Sequence, residues 1–253
     1  MNNSAKRVLD VLELMASSEP MTMKEIGDVL GIPKSSIFDL VNILHERDFL
    51  AVYDPRAKTY TLGVAAYRVG TAYAAQSDLY RLAHPILRGL TEAIGTTGYL
   101  GIEEQGELIY LDKSESRSPI SFSMRIGSRN HLHSTALGKA LLAAKSDGEL
   151  IAFAQKGLVK KTPNTLTTVE ALLAEMEETR RRGYAIDDGE DNALLYCLGA
   201  PIRNGQNKVV AAISVTSLWG SMTDEETSHR AAMLIDAATQ ISRTLGYVKQ
   251  TLY

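Results

Sequence analysis

Hydrophobic residues recur at helical spacing in three short segments near the start of the chain. The segments cover residues 8–15, 26–30 and 37–44. Gly31 ends the second segment, and Pro33 falls at the first turn of the third, which are the usual places for these residues at helix ends. Two helices joined through this short link are predicted to form a helix-turn-helix.

A β-hairpin is predicted directly after the three helices. Residues 49–53 and 59–63 are rich in β-branched and aromatic side chains, and Asp54-Pro55-Arg56-Ala57-Lys58 between them has the composition of a turn. Arg56 and Lys58 make the tip of this turn basic. Together these elements predict a winged helix-turn-helix over residues 1–63.

The third helix carries a polar face opposite its apolar stripe. Ser35, Phe38, Asp39 and Asn42 lie on that face at positions i, i+3, i+4 and i+7. In a DNA-binding helix-turn-helix this face enters the major groove, where Asn42 can pair with adenine and Phe38 can contact a thymine methyl group. The pattern leaves open a small helical subdomain with a solvated polar face. The candidate DNA-binding residues are Lys24, Lys34, Ser35, Ser36, Phe38, Asn42, Arg56 and Lys58.

Net charge does not favour DNA binding. The chain carries a formal charge of −3, and residues 1–65 hold seven Lys or Arg against nine Asp or Glu. DNA binding therefore requires positive charge to be concentrated on one face. Asp39 would be repelled by phosphates, so we expect it to accept from a cytosine amino group or to be neutralised by a cation such as Lys24.

The rest of the chain predicts a larger α+β domain. Residues 64–94 have a helical pattern, in which 64–78 form a linker helix and Pro85 starts or kinks a later segment. Further helices are predicted over 136–144, 169–182 and 224–245, the last two behind capping boxes at Thr167/Glu170 and Thr223/Glu226. Strands are predicted over 97–103, 107–111, 194–203 and 208–217. Residues 79–253 then form the second domain.

Composition agrees with two globular domains. The chain has 253 residues, of which 45% are hydrophobic and 23% charged. No stretch approaches the roughly 20 apolar residues of a membrane span, and no apolar signal core follows the N-terminus. We therefore expect a cytoplasmic protein. Cys197 is the only cysteine and cannot form an intramolecular disulfide.

Several segments of the chain share one set of motifs: residues 7–14, Gly31-Ile32-Pro33-Lys34-Ser35-Ser36, Tyr60-Thr61-Leu62-Gly63, residues 132–142, Gly183-Tyr184-Ala185-Ile186-Asp187, Glu190, Cys197-Leu198-Gly199-Ala200-Pro201-Ile202 and Asn204. Together they resemble the IclR-type family of bacterial transcription regulators. The resemblance implies a GAF-like sensor domain, an antiparallel sheet with helices, behind the winged helix-turn-helix. It implies a sequence-specific regulator whose operator affinity responds to a small molecule. Asp39 departs from the family, which commonly has a basic residue there.

The resemblance also implies an effector pocket between the sheet and the segments that cover it. Its lining would be Ala136 and Leu137 at a helix start, Asp187, Leu195 and Cys197 on one strand, Ser214 and Thr216 on the next, and Met124. Backbone N–H groups at the helix start would attract a carboxylate, and hydroxyl groups at alternate strand positions point to the same side. A small organic or aromatic acid is therefore the expected effector. Without the resemblance, Leu195 and Cys197 would be interpreted as ordinary core and Asp187 as part of a turn.

The expected partners are a double-stranded DNA operator, the effector and further copies of the chain in a homodimer or homotetramer, with no membrane and no cofactor. Two other function classes stay open. One is a sensor that acts through protein partners. The other is an enzyme that uses Cys197, a metal at His131 and His133, or the acidic cluster Asp187, Asp188, Glu190 and Asp191, although none of these has a recognised motif spacing.

Overall fold

A computed structural model of the chain describes residues 3–115 and 124–253. They fall into two units, Met1–Ser77 and Asp78–Tyr253. No helix in the described ranges combines the length and the apolar composition needed to cross a membrane.

The first unit contains the predicted winged helix-turn-helix. Its sheet has the strand order β1-β3-β2 with antiparallel pairing. The apolar stripes of the three helices meet in one core around Val11, Ile26 and Val41, none of which is exposed. The elements are α1 (Asn3–Ser17), β1 (Met21–Thr22), α2 (Met23–Leu30), α3 (Lys34–Glu46), β2 (Leu50–Asp54), β3 (Thr59–Leu62) and α4 (Val64–Gln76).

The end of α2 agrees with the sequence prediction, and the start of α3 differs from it in detail. Thr22 and Glu25 form a capping box at the start of α2, and Gly31 ends it with a left-handed φ of 63°. Pro33 is the N-cap residue of α3. It therefore lies just before the first turn of the helix, whereas the sequence predicted it within that turn. Its ψ of 146° is extended, which an N-cap position requires.

The second unit is a three-layer α+β fold around a six-stranded antiparallel sheet. The strand order is β6-β5-β4-β9-β8-β7. Helices α5 and α9 pack on one face, and α6, α7 and α8 belong to the core on the other. The elements are α5 (Asp78–Ile94), β4 (Thr97–Glu104), β5 (Glu107–Glu115), β6 (Arg129–Asn130), α6 (Ala136–Leu142), α7 (Asp147–Ala154), α8 (Val169–Arg182), β7 (Ala185–Asp188), β8 (Leu195–Arg203), β9 (Val209–Leu218) and α9 (Asp224–Thr244).

Strand alternation decides which side chains of β9 face α6. Ile213 and Val215 belong to the core beneath α5 and α9. Ser214 and Thr216 therefore point to the opposite face, because successive side chains in a strand alternate. They are 4% exposed each, so two hydroxyl groups are buried on the α6 side of the sheet.

Two local predictions in the second unit need correction, and one helix was not predicted. The N-cap of α8 is Thr168, whose hydroxyl accepts from the Ala171 amide, so the predicted capping box at Thr167 is wrong. Pro85 lies inside α5, so the prediction that it starts a segment is wrong. Helix α7 was missed, although Ser146 and Glu149 form a capping box before it.

Candidate functional site

In the first unit, a cleft of about 840 Å³ lies between α2, α3 and the turn that joins β2 to β3. We call it the α3 cleft. It gathers five of the eight predicted DNA-binding residues: Lys24, Lys34, Phe38, Asn42 and Lys58. Ser35, Ser36 and Arg56 are not part of its lining.

The lining of the α3 cleft is locally positive. Three lysines and one acid, Asp28, contribute to it, although the unit has more acids than bases. Phe38 projects from α3 with 55% of its surface exposed. Asp39 is exposed but does not line the cleft, and in the described part of the chain no ion pair joins it to Lys24. Positive charge is therefore concentrated on one surface, as DNA binding requires.

The turn between β2 and β3, residues 55–58, which we call the wing turn, holds its two basic side chains at the surface. Asp54 accepts hydrogen bonds from the backbone amides of Arg56, at 2.7 Å, and Ala57, at 3.3 Å, which fixes the turn. Lys58 has a positive φ of 54°, so the chain reverses there before β3 begins. Both Arg56 and Lys58 are exposed.

In the second unit, a cavity of about 30 Å³ lies between the sheet and the start of α6. We call it the β9 cavity. All eight residues of the predicted pocket line it: Met124, Ala136, Leu137, Asp187, Leu195, Cys197, Ser214 and Thr216. One detail differs from the prediction, because Asp187 lies on β7, where it pairs with Cys197 on β8.

Four further residues line the β9 cavity and were missed from the sequence: Tyr99, Tyr110, Thr135 and Asp191. Tyr99 lies on β4 directly opposite Ser214 on β9, so the two share a face of the sheet. Burial raises the pKa of Tyr99 to about 12 and also raises that of Tyr110, so both phenols stay protonated and can donate hydrogen bonds at neutral pH.

The start of α6 is held closely against the sheet. Thr135 caps the helix by accepting from the Gly138 amide at 3.1 Å. A Cβ atom at Gly199 on β8 would overlap the carbonyl group of Ala136, so only glycine allows this approach. The backbone of α6 therefore forms one wall of the β9 cavity.

Asp187 is a buried carboxyl group, 3% exposed, in that cavity. Its Oδ1 accepts from the backbone amides of Glu190, at 2.7 Å, and Asp191, at 3.3 Å. Burial raises the pKa of Asp187 to about 7, and Glu190 acts in the same direction, while the amides and Lys139 oppose the rise. Asp187 is therefore partly protonated at neutral pH.

Beside the cavity, a buried ionic network holds Lys139 of α6. Its side chain is 1% exposed and pairs with Glu190, which is 8% exposed, and at 3.3 Å with Glu175. Arg182 completes the network with a 2.6 Å contact to Glu175. Burial raises the pKa of Glu190, against the effect of Lys139. We call these four residues the Lys139 network.

The Cys197 thiol and the His133 ring, which could serve an enzyme, each contact a neighbouring group of the fold. The Cys197 Sγ donates to the Thr216 hydroxyl, and burial raises the pKa of the thiol, which disfavours a thiolate nucleophile. The Nε2 atom of His133 lies 3.0 Å from the carbonyl oxygen of Val159. Within residues 3–115 and 124–253, no group of three or more His, Cys, Asp or Glu side chains is arranged to hold a metal.

The three arginines at the end of α8 are engaged inside the second unit. Arg180 donates to the carbonyl groups of Ala143 and Lys145, both at 2.8 Å, while Arg181 pairs with Glu178. Gly183, with a φ of 87°, ends the helix after Arg182. These cations therefore serve local structure, as a basic run at a helix C-terminus favours.

Two parts of the chain match known domain families. Residues 4–52 match the IclR helix-turn-helix domain. Residues 71–243 match the C-terminal domain of the bacterial transcriptional regulator IclR. The second match alone covers more than half of the chain.

Relatives and solved structures cover nearly all of the chain. The HTH-type transcriptional regulator RhmR of Escherichia coli K12 is 34% identical over 246 residues, which are 95% of this chain and 92% of the relative. XynR of the same organism is 30% identical over 96% of this chain and 97% of its own length. The crystal structure of Thermotoga maritima IclR covers 98% of this chain and 100% of its own, with 28% identity and a TM-score of 0.81. The chain therefore belongs to the IclR family of bacterial transcription regulators.

Proposed function

We propose that this regulator binds its operator through the α3 cleft and the wing turn, and that a small organic acid in the β9 cavity changes its operator affinity. The observation that carries the proposal is that one cavity gathers all eight residues of the expected effector pocket. The proposed domains are 1–63 for DNA binding, 64–78 as linker helix and 79–253 for the effector. No catalytic role is assigned.

The mechanism is a shift between two populations. Two or four copies of the chain present their winged helices to half-sites of the operator, and the effector favours one relative placement of those helices. A sensor that acts only through protein partners is the rival proposal. Direct binding of the purified protein to operator DNA distinguishes the two.

Asn42→Ala is expected to weaken operator binding by about 1 to 3 kcal/mol and to relax preference at one base pair, because Asn42 faces the α3 cleft and can pair with one base. Arg56→Ala should weaken binding to all DNA sequences alike and reduce the salt dependence of binding. Fluorescence anisotropy with operator variants at several salt concentrations measures both effects.

Lys6→Ala is the matched control for Arg56→Ala. It removes one positive charge from α1, where Lys6 pairs with Asp10 at 2.9 Å, outside the cleft. Its operator affinity should stay near that of the wild type. If all three variants bind like the wild type, the assignment of the α3 cleft is wrong.

Ser214→Ala is expected to weaken effector binding by roughly 1 to 3 kcal/mol, because it leaves a polar group of the bound acid without a hydrogen-bond partner. Ala136→Leu should block the same cavity sterically. Operator binding without effector should remain near wild type in both variants, since DNA binding is assigned to the first unit. A thermal-shift screen of organic acids, followed by calorimetry on the variants, measures the loss.

Ser217→Ala is the control on the same strand. Ser217 is buried on the opposite face of the sheet, where Arg230 donates to its hydroxyl at 2.9 Å. It should leave the effector response intact. Unchanged effector affinity in Ser214→Ala and Ala136→Leu would place the effector elsewhere. If both variants instead fail to fold, Ser214 and Ala136 are ordinary core residues.

Helix α4 is the proposed contact between copies. Val64, Tyr67, Val69 and Tyr73 are each more than half exposed on it, and within the described chain its only buried residue is Ala65. Light scattering should therefore find a dimer or tetramer, and Tyr67→Glu should shift it towards monomer. Tyr53→Glu changes an equally exposed tyrosine on the wing and should leave the assembly intact. A monomeric wild type that binds one half-site specifically would contradict this.

A further inference from the structure

The β9 cavity is short of positive charge for a site that binds an acid. None of the described residues that line it is Lys, Arg or His, whereas two are carboxylic acids, Asp187 and Asp191. An anion in this cavity meets like charge unless one carboxyl group is neutral. Because the proposed function places an acid in this cavity, the charge state of these two carboxyl groups decides whether the acid can bind.

Of the carboxyl groups in and beside the cavity, Asp187 is the one without an ion-pair partner in the described part of the chain. Asp191 lies 3.5 Å from Lys161. In the Lys139 network, two cations face two carboxylates, Glu175 and Glu190. Three cations and three carboxylates are therefore matched. Among the described residues, no Lys, Arg or His forms an ion pair with Asp187.

Apart from Asp191 and the Lys139 network, the other titratable groups around Asp187 are uncharged at neutral pH. Burial raises the pKa of the Cys197 thiol on β8, and it raises the pKa values of Tyr99 on β4 and Tyr110 on β5. Burial lowers the pKa of His133, which precedes α6. None of these groups compensates a negative charge on Asp187 at neutral pH.

We propose that Asp187 binds the effector in its protonated form and donates a hydrogen bond to a carboxylate oxygen of the effector, so that a molecule in which Asp187 is ionised takes up one proton when the effector anion enters the β9 cavity. The proton comes from solvent and stays on the Asp187 carboxyl group. The Oδ1 atom of Asp187 already accepts from two amides, so Oδ2 carries the proton that the effector accepts.

The proposal makes effector affinity depend on pH. Burial raises the pKa of Asp187 to about 7, so the donor form falls tenfold for each pH unit above that value. The dissociation constant of an anionic effector should rise by the same factor. Asp187→Asn carries a neutral donor of nearly the same shape, so its affinity for the anion should not change over this range.

Infrared difference spectroscopy tests the protonation directly, with ¹³C-labelled acetate as the probe because it is a small and chemically stable carboxylate and the cavity is small. At about pH 8, where Asp187 alone is mostly ionised, acetate should produce the C=O band of a protonated protein carboxylic acid. The label moves the bands of acetate away from those of the protein. The band should be absent in Asp187→Asn.

Asp188→Asn is the matched control. Asp188 is the next residue on β7, but it is exposed and accepts from the Trp219 indole at 2.7 Å. It should keep the band. Acetate binding that is lost in Ser214→Ala, yet gives no acid band in the wild type, overturns the proton coupling and leaves the proposed cavity function intact. If acetate changes neither the spectrum of the wild type nor that of Ser214→Ala, both proposals are contradicted.

Discussion

Lys139→Met should destabilise the second unit by about 3 to 5 kcal/mol. The substitution removes the cation that pairs with Glu190, and among the described residues the buried Glu190 carboxylate is then left without a cationic partner. Its Oε2 atom already has no hydrogen-bond partner among the described residues. Urea unfolding followed by the fluorescence of Trp219, the only tryptophan in the sequence, reports the stability of this unit.

Two further variants define the origin of that loss. Glu190→Gln added to Lys139→Met should recover part of the stability, because the uncompensated charge is removed. Lys145→Met removes the same type of side chain from a pair with Glu103, in which both side chains are about one quarter exposed, so it should cost less than about 1 kcal/mol. Equal losses in Lys139→Met and Lys145→Met would show that the Lys139 network carries no special weight.

Gly199→Ala should cost roughly 2 to 4 kcal/mol and abolish the effector response. The added Cβ would overlap the Ala136 carbonyl group, so α6 must move away from β8 and the wall of the β9 cavity moves with it. Chemical unfolding measures the stability, and calorimetry with an identified effector measures the response.

Gly148→Ala is the control for the added methyl group. Gly148 lies in α7, and a Cβ built there has no neighbour within 4 Å. Because alanine favours helix more than glycine, this variant should be neutral or gain up to about 1 kcal/mol. A Gly199→Ala protein with normal stability and normal effector response would refute the close approach of α6 to the sheet.

The sequence predicted the first unit well because its signals are local. The apolar period of each helix, the glycine after α2 and the turn composition between β2 and β3 all lie within a few residues of the element that they define. Strands β1 and β6 were missed because two residues cannot display an alternation. The resemblance to the IclR family is confirmed by both domain matches.

The sequence predicted only part of the lining of the β9 cavity, for a physical reason. Ser214 and Thr216 share a face by alternation along one strand, which the sequence displays. Tyr99 joins them only through the pairing of β4 with β9, a contact across more than 100 residues that the sequence pattern does not contain. The pairing of Lys139 with Glu190 is non-local in the same way, since Lys139 stands inside an apolar run.

The central claim is that this chain binds specific DNA through α3, and a gel-shift experiment with the DNA upstream of its own gene tests it most directly. The wild type should form a complex that survives an excess of unrelated DNA, and Asn42→Ala should lose that preference while the protein stays folded. A wild type that binds the upstream DNA no better than unrelated DNA, or an Asn42→Ala protein with undiminished specificity, would contradict the account.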